Sequence, residues 1–98
     1  RSLDVVPTII SLRRFCDEAR KAELEKAQSF LPGLTDKDKK VLDAMTQAIV
    51  NKILHNPITH LKKDANKVEG DMYIEAIRKL FDLEPDAEAV KKAQSNED

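Results

Sequence analysis

Ile49-Val50-Asn51-Lys52-Ile53-Leu54-His55-Asn56-Pro57 is the stretch that decides how this chain folds. It is apolar at helical spacing and ends in a helix breaker. Followed back toward the N-terminus, the same helix carries Val41, Leu42, Met45 and Ala48 and opens at Thr35. Thr35 with Asp38 three residues later matches a capping box, with Asp in place of the usual Glu. Asp36 and Asp38 also suit the positive end of a helix. At about 100° per residue, the apolar positions from Val41 to Leu54 spread over roughly 240° of the circumference. An ordinary surface helix carries an apolar arc only somewhat wider than about 100°. The excess predicts burial on two sides, one against a neighbouring helix and one against something outside the hairpin. A partner subunit is the simple candidate, and a third helix could cover part of the excess.

Downstream, Pro57 removes a backbone donor and pushes Asn56 away from helical angles, which predicts a kink or break at residues 55–57. The helical pattern resumes with Ile58, Leu61, Ala65 and Val68, and Gly70 is expected to stop it. Asp71 then caps a third helix, Met72 to Leu83, with Tyr73, Ile74, Ile77, Leu80 and Phe81 at helical spacing. Upstream, a first helix is expected from about Pro7, which suits a first turn, to Leu31. Its stripe of Val5, Ile9, Leu12, Cys16, Ala19 and Phe30 follows heptad spacing, interrupted by Glu23 and Lys26. Pro32-Gly33 ends that helix. The fold class is therefore all-α: two long antiparallel helices plus a shorter third helix, dimerising into a helical bundle. Residues 1–6 are expected to close a linker or spinal helix, and residues 7–83 to form the helical domain. Residues 84–98 are expected to be a polar, largely flexible tail, with one marginal amphipathic helix over 86–93.

Composition narrows the function. Ninety-eight residues bound one small domain. A net charge of −1 with 36% charged residues excludes a strongly basic nucleic-acid binder and a polyacidic tail. Two glycines leave no room for a phosphate-cradling loop or a dinucleotide fingerprint. No apolar run approaches the ~20 residues a membrane-spanning helix needs. With one cysteine, no disulfide forms within the chain and no Cys-based metal site exists, which fits a reducing cytoplasm. The chain opens at Arg1 rather than Met, so its true N-terminus is not visible.

The residues that could carry chemistry have plainer readings. Cys16 lies in the apolar stripe with no oriented base beside it, so it reads as a packing residue. His55 and His60 are five apart across Pro57 and have no third ligand, which argues against a metal site. His55 instead fits the last turn before the expected break. Glu18, Glu23 and Glu25 with Lys21 and Lys26 read as solvated surface pairs. Arg13-Arg14 and Lys62-Lys63 with Lys67 are small basic clusters flanked by acids, so solvated faces are favoured over RNA contacts. No catalytic, cofactor-binding or metal-ligating residue is assigned.

Three blocks carry a resemblance. The first is Val5-Val6-Pro7-Thr8-Ile9 with Leu12-Arg13, then Ala22-Glu23-Leu24-Glu25-Lys26-Ala27. The second is Leu31-Pro32-Gly33-Leu34, then Ile49 to Pro57 with Leu61-Lys62. The third is Tyr73-Ile74-Glu75-Ala76-Ile77-Arg78 with Leu80-Phe81. In this order they resemble the C-terminal dimerization domain of glutamyl-tRNA reductase, over about residues 5–83. The resemblance implies a parent enzyme that reduces tRNA-bound glutamate with NADPH to glutamate-1-semialdehyde, which begins a route to tetrapyrroles (porphyrins). It also implies that the nucleophilic Cys, the NADPH site and most tRNA contacts lie in other domains of the parent chain. Cys16 matches no catalytic motif of the family. The implied cofactor is NADPH for the parent and none for this piece. The implied partner is a second copy, joined in a V-shaped homodimer.

The expected dimer interface is Ile9, Leu12, Cys16, Ala19, Leu42, Met45, Ile49 and Ile53. Two rivals remain at this level: a monomeric helical adaptor with an open groove for a partner's helix, and a tRNA-contacting helical module.

Overall fold

Thr35 opens the second helix as its spacing to Asp38 predicts. The Asp38 N–H donates to Thr35 Oγ1 at 3.0 Å, and the Thr35 N–H donates to Asp38 Oδ2 at 3.1 Å. In the computed structural model, which describes residues 2–83, this helix is α2 (Asp36–Lys63). It follows α1 (Ser2–Ser29) and precedes α3 (Val68–Leu80). Among the described residues there is no strand, and no helix is long and apolar enough to cross a membrane. The fold is all-α, with α1 and α2 forming a long antiparallel hairpin. The expected polar tail and the marginal helix at 86–93 lie outside the described residues.

Several boundaries differ from expectation. The first helix starts at Ser2 rather than near Pro7, so Pro7 sits in the second turn, where its ring is buried. It stops at Ser29, two residues before Leu31, and Gly33 takes the turn at φ 89°. No break occurs at residues 55–57, because α2 runs unbroken through Pro57 to Lys63. A proline inside a helix costs about 3 kcal/mol. Leu54, Ile58 and Leu61 share one face of α2 and are all buried, each stabilising by about 1.5–3 kcal/mol. Their burial outweighs the lost backbone bond. His55 is consequently an exposed mid-helix residue, not a cap.

Gly70 does not stop a helix. It lies buried in the first turn of α3, where an added Cβ would clash with the Asp64 carbonyl oxygen and sit 2.9 Å from its carbon. Glycine is needed there for close approach, and Lys67 rather than Asp71 holds the N-cap position. At the other end α3 stops at Leu80, not Leu83. The Leu83 N–H donates to the Arg78 carbonyl at 2.8 Å and the Asp82 N–H to that of Lys79 at 3.3 Å, with Asp82 at φ 52°. This is a Schellman ending whose left-handed position is held by Asp instead of glycine.

The core occupies one end of a body 51 Å long. Val5, Leu61 and Ile74 form one cluster, joined by Ile9, Ala65 and Ile77. Leu12, Leu54 and Ile58 form the next, joined by Cys16, Val50 and Leu83. Besides these clusters, Arg78 Nε on α3 donates to Thr8 Oγ1 on α1 at 3.0 Å, and Phe81 just past α3 meets Phe15 edge-on at 5.7 Å. Beyond Arg20 the packing changes: from Lys21 through Ile53 no residue is buried. The distal half of the hairpin is an arm without a core of its own.

Candidate dimerisation surface

The arm carries an apolar row on the side of α2 that faces away from α1. Val41, Met45, Ile49 and Ile53 follow one another at intervals of four and are 58%, 50%, 50% and 65% exposed. Met45 precedes Leu54 by nine residues, which at about 100° per residue is half a revolution. Leu54 points into the core, so Met45 points out of the molecule. α2 is therefore apolar on two opposite sides, and only one of them is covered. Four large apolar side chains in one exposed line exceed the scattered singles normal for a monomer's surface.

Arg20 closes the hairpin where the core gives out. Its nearly buried guanidinium donates to Asp17 Oδ1 at 2.9 Å within α1, and to Asp43 Oδ1 at 2.8 Å and Thr46 Oγ1 at 3.2 Å across on α2. Asp17 also pairs with Lys21 at 3.2 Å. Hydrogen bonds from Arg20, then from Lys21, hold the Asp17 carboxyl below its ordinary range, and the two acids in turn raise Arg20. This clamp fixes the register of α1 on α2 and hence the direction in which the row faces.

The eight residues expected at the interface do not share one surface. Met45, Ile49 and Ile53 lie on the outer face of the arm, and Leu42 is half-buried on its flank. Ala19 is exposed on α1. Ile9 and Cys16 are half-buried against the inner clusters. Leu12 is 1% exposed and enclosed by its own chain with Leu54 and Ile58. Val41 extends the outer row and was not among the eight, although its four-residue spacing to Met45 was there to be read. For Arg20 the local sequence signal is Asp17 at ion-pair spacing, and nothing local marks its partners on α2.

Partial burial pushes the Cys16 thiol above its ordinary value of 9.0, which disfavours the thiolate. His55 and His60 are both exposed, and among the described residues no group of three potential ligands is placed to hold a metal ion. Arg13, Arg14 and Arg20 border a shallow groove of ≈ 320 Å³ of mixed character, whose lining includes Val50 and Leu54. The clamp already engages Arg20 there.

Comparison with known proteins identifies the family. The family described as glutamyl-tRNAGlu reductase, dimerisation domain, matches residues 1–83. A glutamyl-tRNA reductase of Syntrophotalea carbinolica is 43% identical over 88 residues, 90% of this chain and 20% of its own length. One from Citrifermentans bemidjiense is 45% identical over 97 residues, 99% of this chain and 22% of its own. One from Geobacter sulfurreducens is 46% identical over 83 residues, 85% of this chain and 19% of its own. The chain thus spans about a fifth of the length of these curated relatives. No solved structure matches it.

Proposed function

The chain belongs to the family of glutamyl-tRNA reductase dimerisation domains, and from that membership we propose that it joins two copies of such a reductase through the outer face of α2. The observation that carries this reading is the coreless arm, residues 21–53, with its exposed row of Val41, Met45, Ile49 and Ile53. Pairing two arms gives each row an apolar neighbour and turns two hairpins into a helical bundle. Burial contributes about 25 cal/mol per Å², and an obligate interface of this kind covers about 2,000 Å² or more. Leu42 and Ala19 flank the pairing. Ile9, Leu12 and Cys16 support it from inside each protomer.

Catalysis belongs to the rest of the parent enzyme. In this proposal the parent reduces glutamyl-tRNA with NADPH to glutamate-1-semialdehyde for tetrapyrrole synthesis in the cytoplasm. The nucleophile, the NADPH site and the main tRNA contacts reside in its other domains. Residues 1–6 lead in from the spinal helix or linker of those domains, with Val5 already packed in the core, and residues 7–83 are the body of the dimerisation domain.

Sedimentation of Ile49→Glu tests the reading. A charge on the outer row should leave a helical, folded monomer, whereas the unchanged chain sediments as a dimer. An unchanged chain that stays monomeric at high concentration would return the adaptor reading to first place. An Ile49→Glu chain that unfolds would assign Ile49 to the protomer's own core.

A further inference from the structure

We propose that the C-terminal half of α2, continued by Arg13 and Arg14 of α1, contacts the phosphodiester backbone of a folded RNA. The inference goes beyond dimerisation. Only the choice of RNA among polyanions rests on the parent enzyme proposed above. The helix α2 carries no Asp or Glu from Ala44 to Lys63. In that span Lys52, His55, Asn56, Thr59, Lys62 and Lys63 are all exposed. At about 100° per residue they fall within about 120° of one another, on a side turned away from buried Leu54, Ile58 and Leu61. From Lys52 to Lys63 the strip is about 17 Å long at 1.5 Å per residue. Asn51 lies at its edge and also lines the groove that Arg13, Arg14 and Gln47 border. The positive strip therefore runs from α2 across to α1.

The sequence sets acids beside both basic clusters, and folding takes them out of play. Asp64, next to Lys63, is half-buried and pairs with Lys67 at 3.2 Å. That pairing withdraws Lys67 from the strip as well. Asp17 receives Arg20 at 2.9 Å and Lys21 at 3.2 Å. Glu18 lies about 140° round α1 from Arg13. The chain's net charge of −1 does not cancel the local field, because exposed charges more than about 8–10 Å apart are screened at physiological salt.

Chemistry selects the ligand. The strip offers amino, imidazole, amide and hydroxyl donors, which suit phosphate oxygens. It has no Phe, Tyr or Trp on which a base could stack, so the contact reads the backbone and not the bases. Two copies of a like-charged strip repel each other, so this face stays outside the subunit contact and open to a partner. The polyanion named in the family's description is a transfer RNA.

Fluorescence anisotropy with a labelled glutamate-specific tRNA transcript tests the contact. The native chain should bind with a dissociation constant of about 10⁻⁴–10⁻⁶ M, and the logarithm of the binding constant should fall linearly with that of salt concentration. Lys52→Gln, Lys62→Gln and Lys63→Gln together should weaken binding about tenfold or more and lower the salt slope by about one per lysine. Lys37→Gln, Lys39→Gln and Lys40→Gln, at the start of α2, remove the same charge elsewhere and should leave affinity and slope near native. No binding by the native chain would overturn the proposal, and so would an equal loss in that control. Binding to phosphatidylglycerol vesicles in place of the transcript would assign the strip to a lipid surface and overturn it too. Sedimentation separates this inference from the dimer, since both triple variants should sediment as the native chain does. Weaker RNA binding only where the dimer has dissociated would place these lysines in the subunit contact, against the proposal. A chain that is monomeric throughout yet binds the transcript with the expected slope would remove the dimer and leave this contact standing.

Discussion

Single residues in this chain hold positions that their type alone does not announce. Asp82 stands in left-handed backbone at φ 52° to close α3. That conformation costs a non-glycine residue about 1–2 kcal/mol, partly offset for Asp by local hydrogen bonding. Asp82→Gly should stabilise the protein by about 0.5–1 kcal/mol, read from the urea midpoint at fixed protein concentration. Asp17 sets an acid limit. Its folded-state carboxyl lies below the ordinary value of 3.8, chiefly through Arg20 and then Lys21. A depressed carboxylate contributes stability that is fully present above its unfolded value and is lost as pH falls through the folded one. The gap in melting temperature between the native chain and Asp17→Asn should therefore be constant near neutrality and close below 3.8. A gap that stays open through that range would disconnect Asp17 from the clamp.

At the scale of the helix, local preference and tertiary packing pull against each other most plainly in α2. Pro57 deprives the Ile53 carbonyl of its normal partner, yet Leu54, Ile58 and Leu61 keep the segment helical by burying one face. Pro57→Ala should restore the missing N–H and raise stability by about 1–3 kcal/mol in urea unfolding. A loss of stability would mean that the ring's packing outweighs the backbone bond. The same contest explains Gly70. A glycine near the start of a helical pattern reads as a stop, but close approach to the Asp64 carbonyl makes it the residue that lets α3 fold back at all.

For the whole molecule, two aliphatic residues with similar side chains should behave oppositely. Leu12 is enclosed by Leu54 and Ile58 within the protomer. Leu12→Ala should therefore cost about 2–5 kcal/mol of folding stability. Ile49 is half exposed on the arm. Ile49→Glu should leave circular dichroism near that of the native chain while abolishing the dimer by sedimentation. If Leu12→Ala instead dissociated the subunits without loosening the fold, the division between inner core and outer row would be wrong. That division leaves a 51 Å body with its core at one end and an uncovered apolar edge at the other.

The sequence by itself determined that the fold is all-α and that α2 carries more apolar surface than one neighbouring helix covers, but not where the helices begin and end. Capping at Thr35, the turn at Pro32-Gly33 and apolar spacing of three and four residues are local properties, governed by backbone hydrogen bonding and side-chain periodicity. The broad apolar arc of Val41–Leu54 likewise required cover on two sides. What only the tertiary structure decided is which apolar residues face which neighbour. Ile9, Leu12 and Cys16 carry the same periodicity as Met45, Ile49 and Ile53, and periodicity does not distinguish a protomer's core from its outer surface. The register of α1 on α2, clamped by Arg20 to Asp43 and Thr46, turns the first set inward and leaves the second exposed. It depends on contacts between residues more than twenty positions apart, which no local pattern encodes.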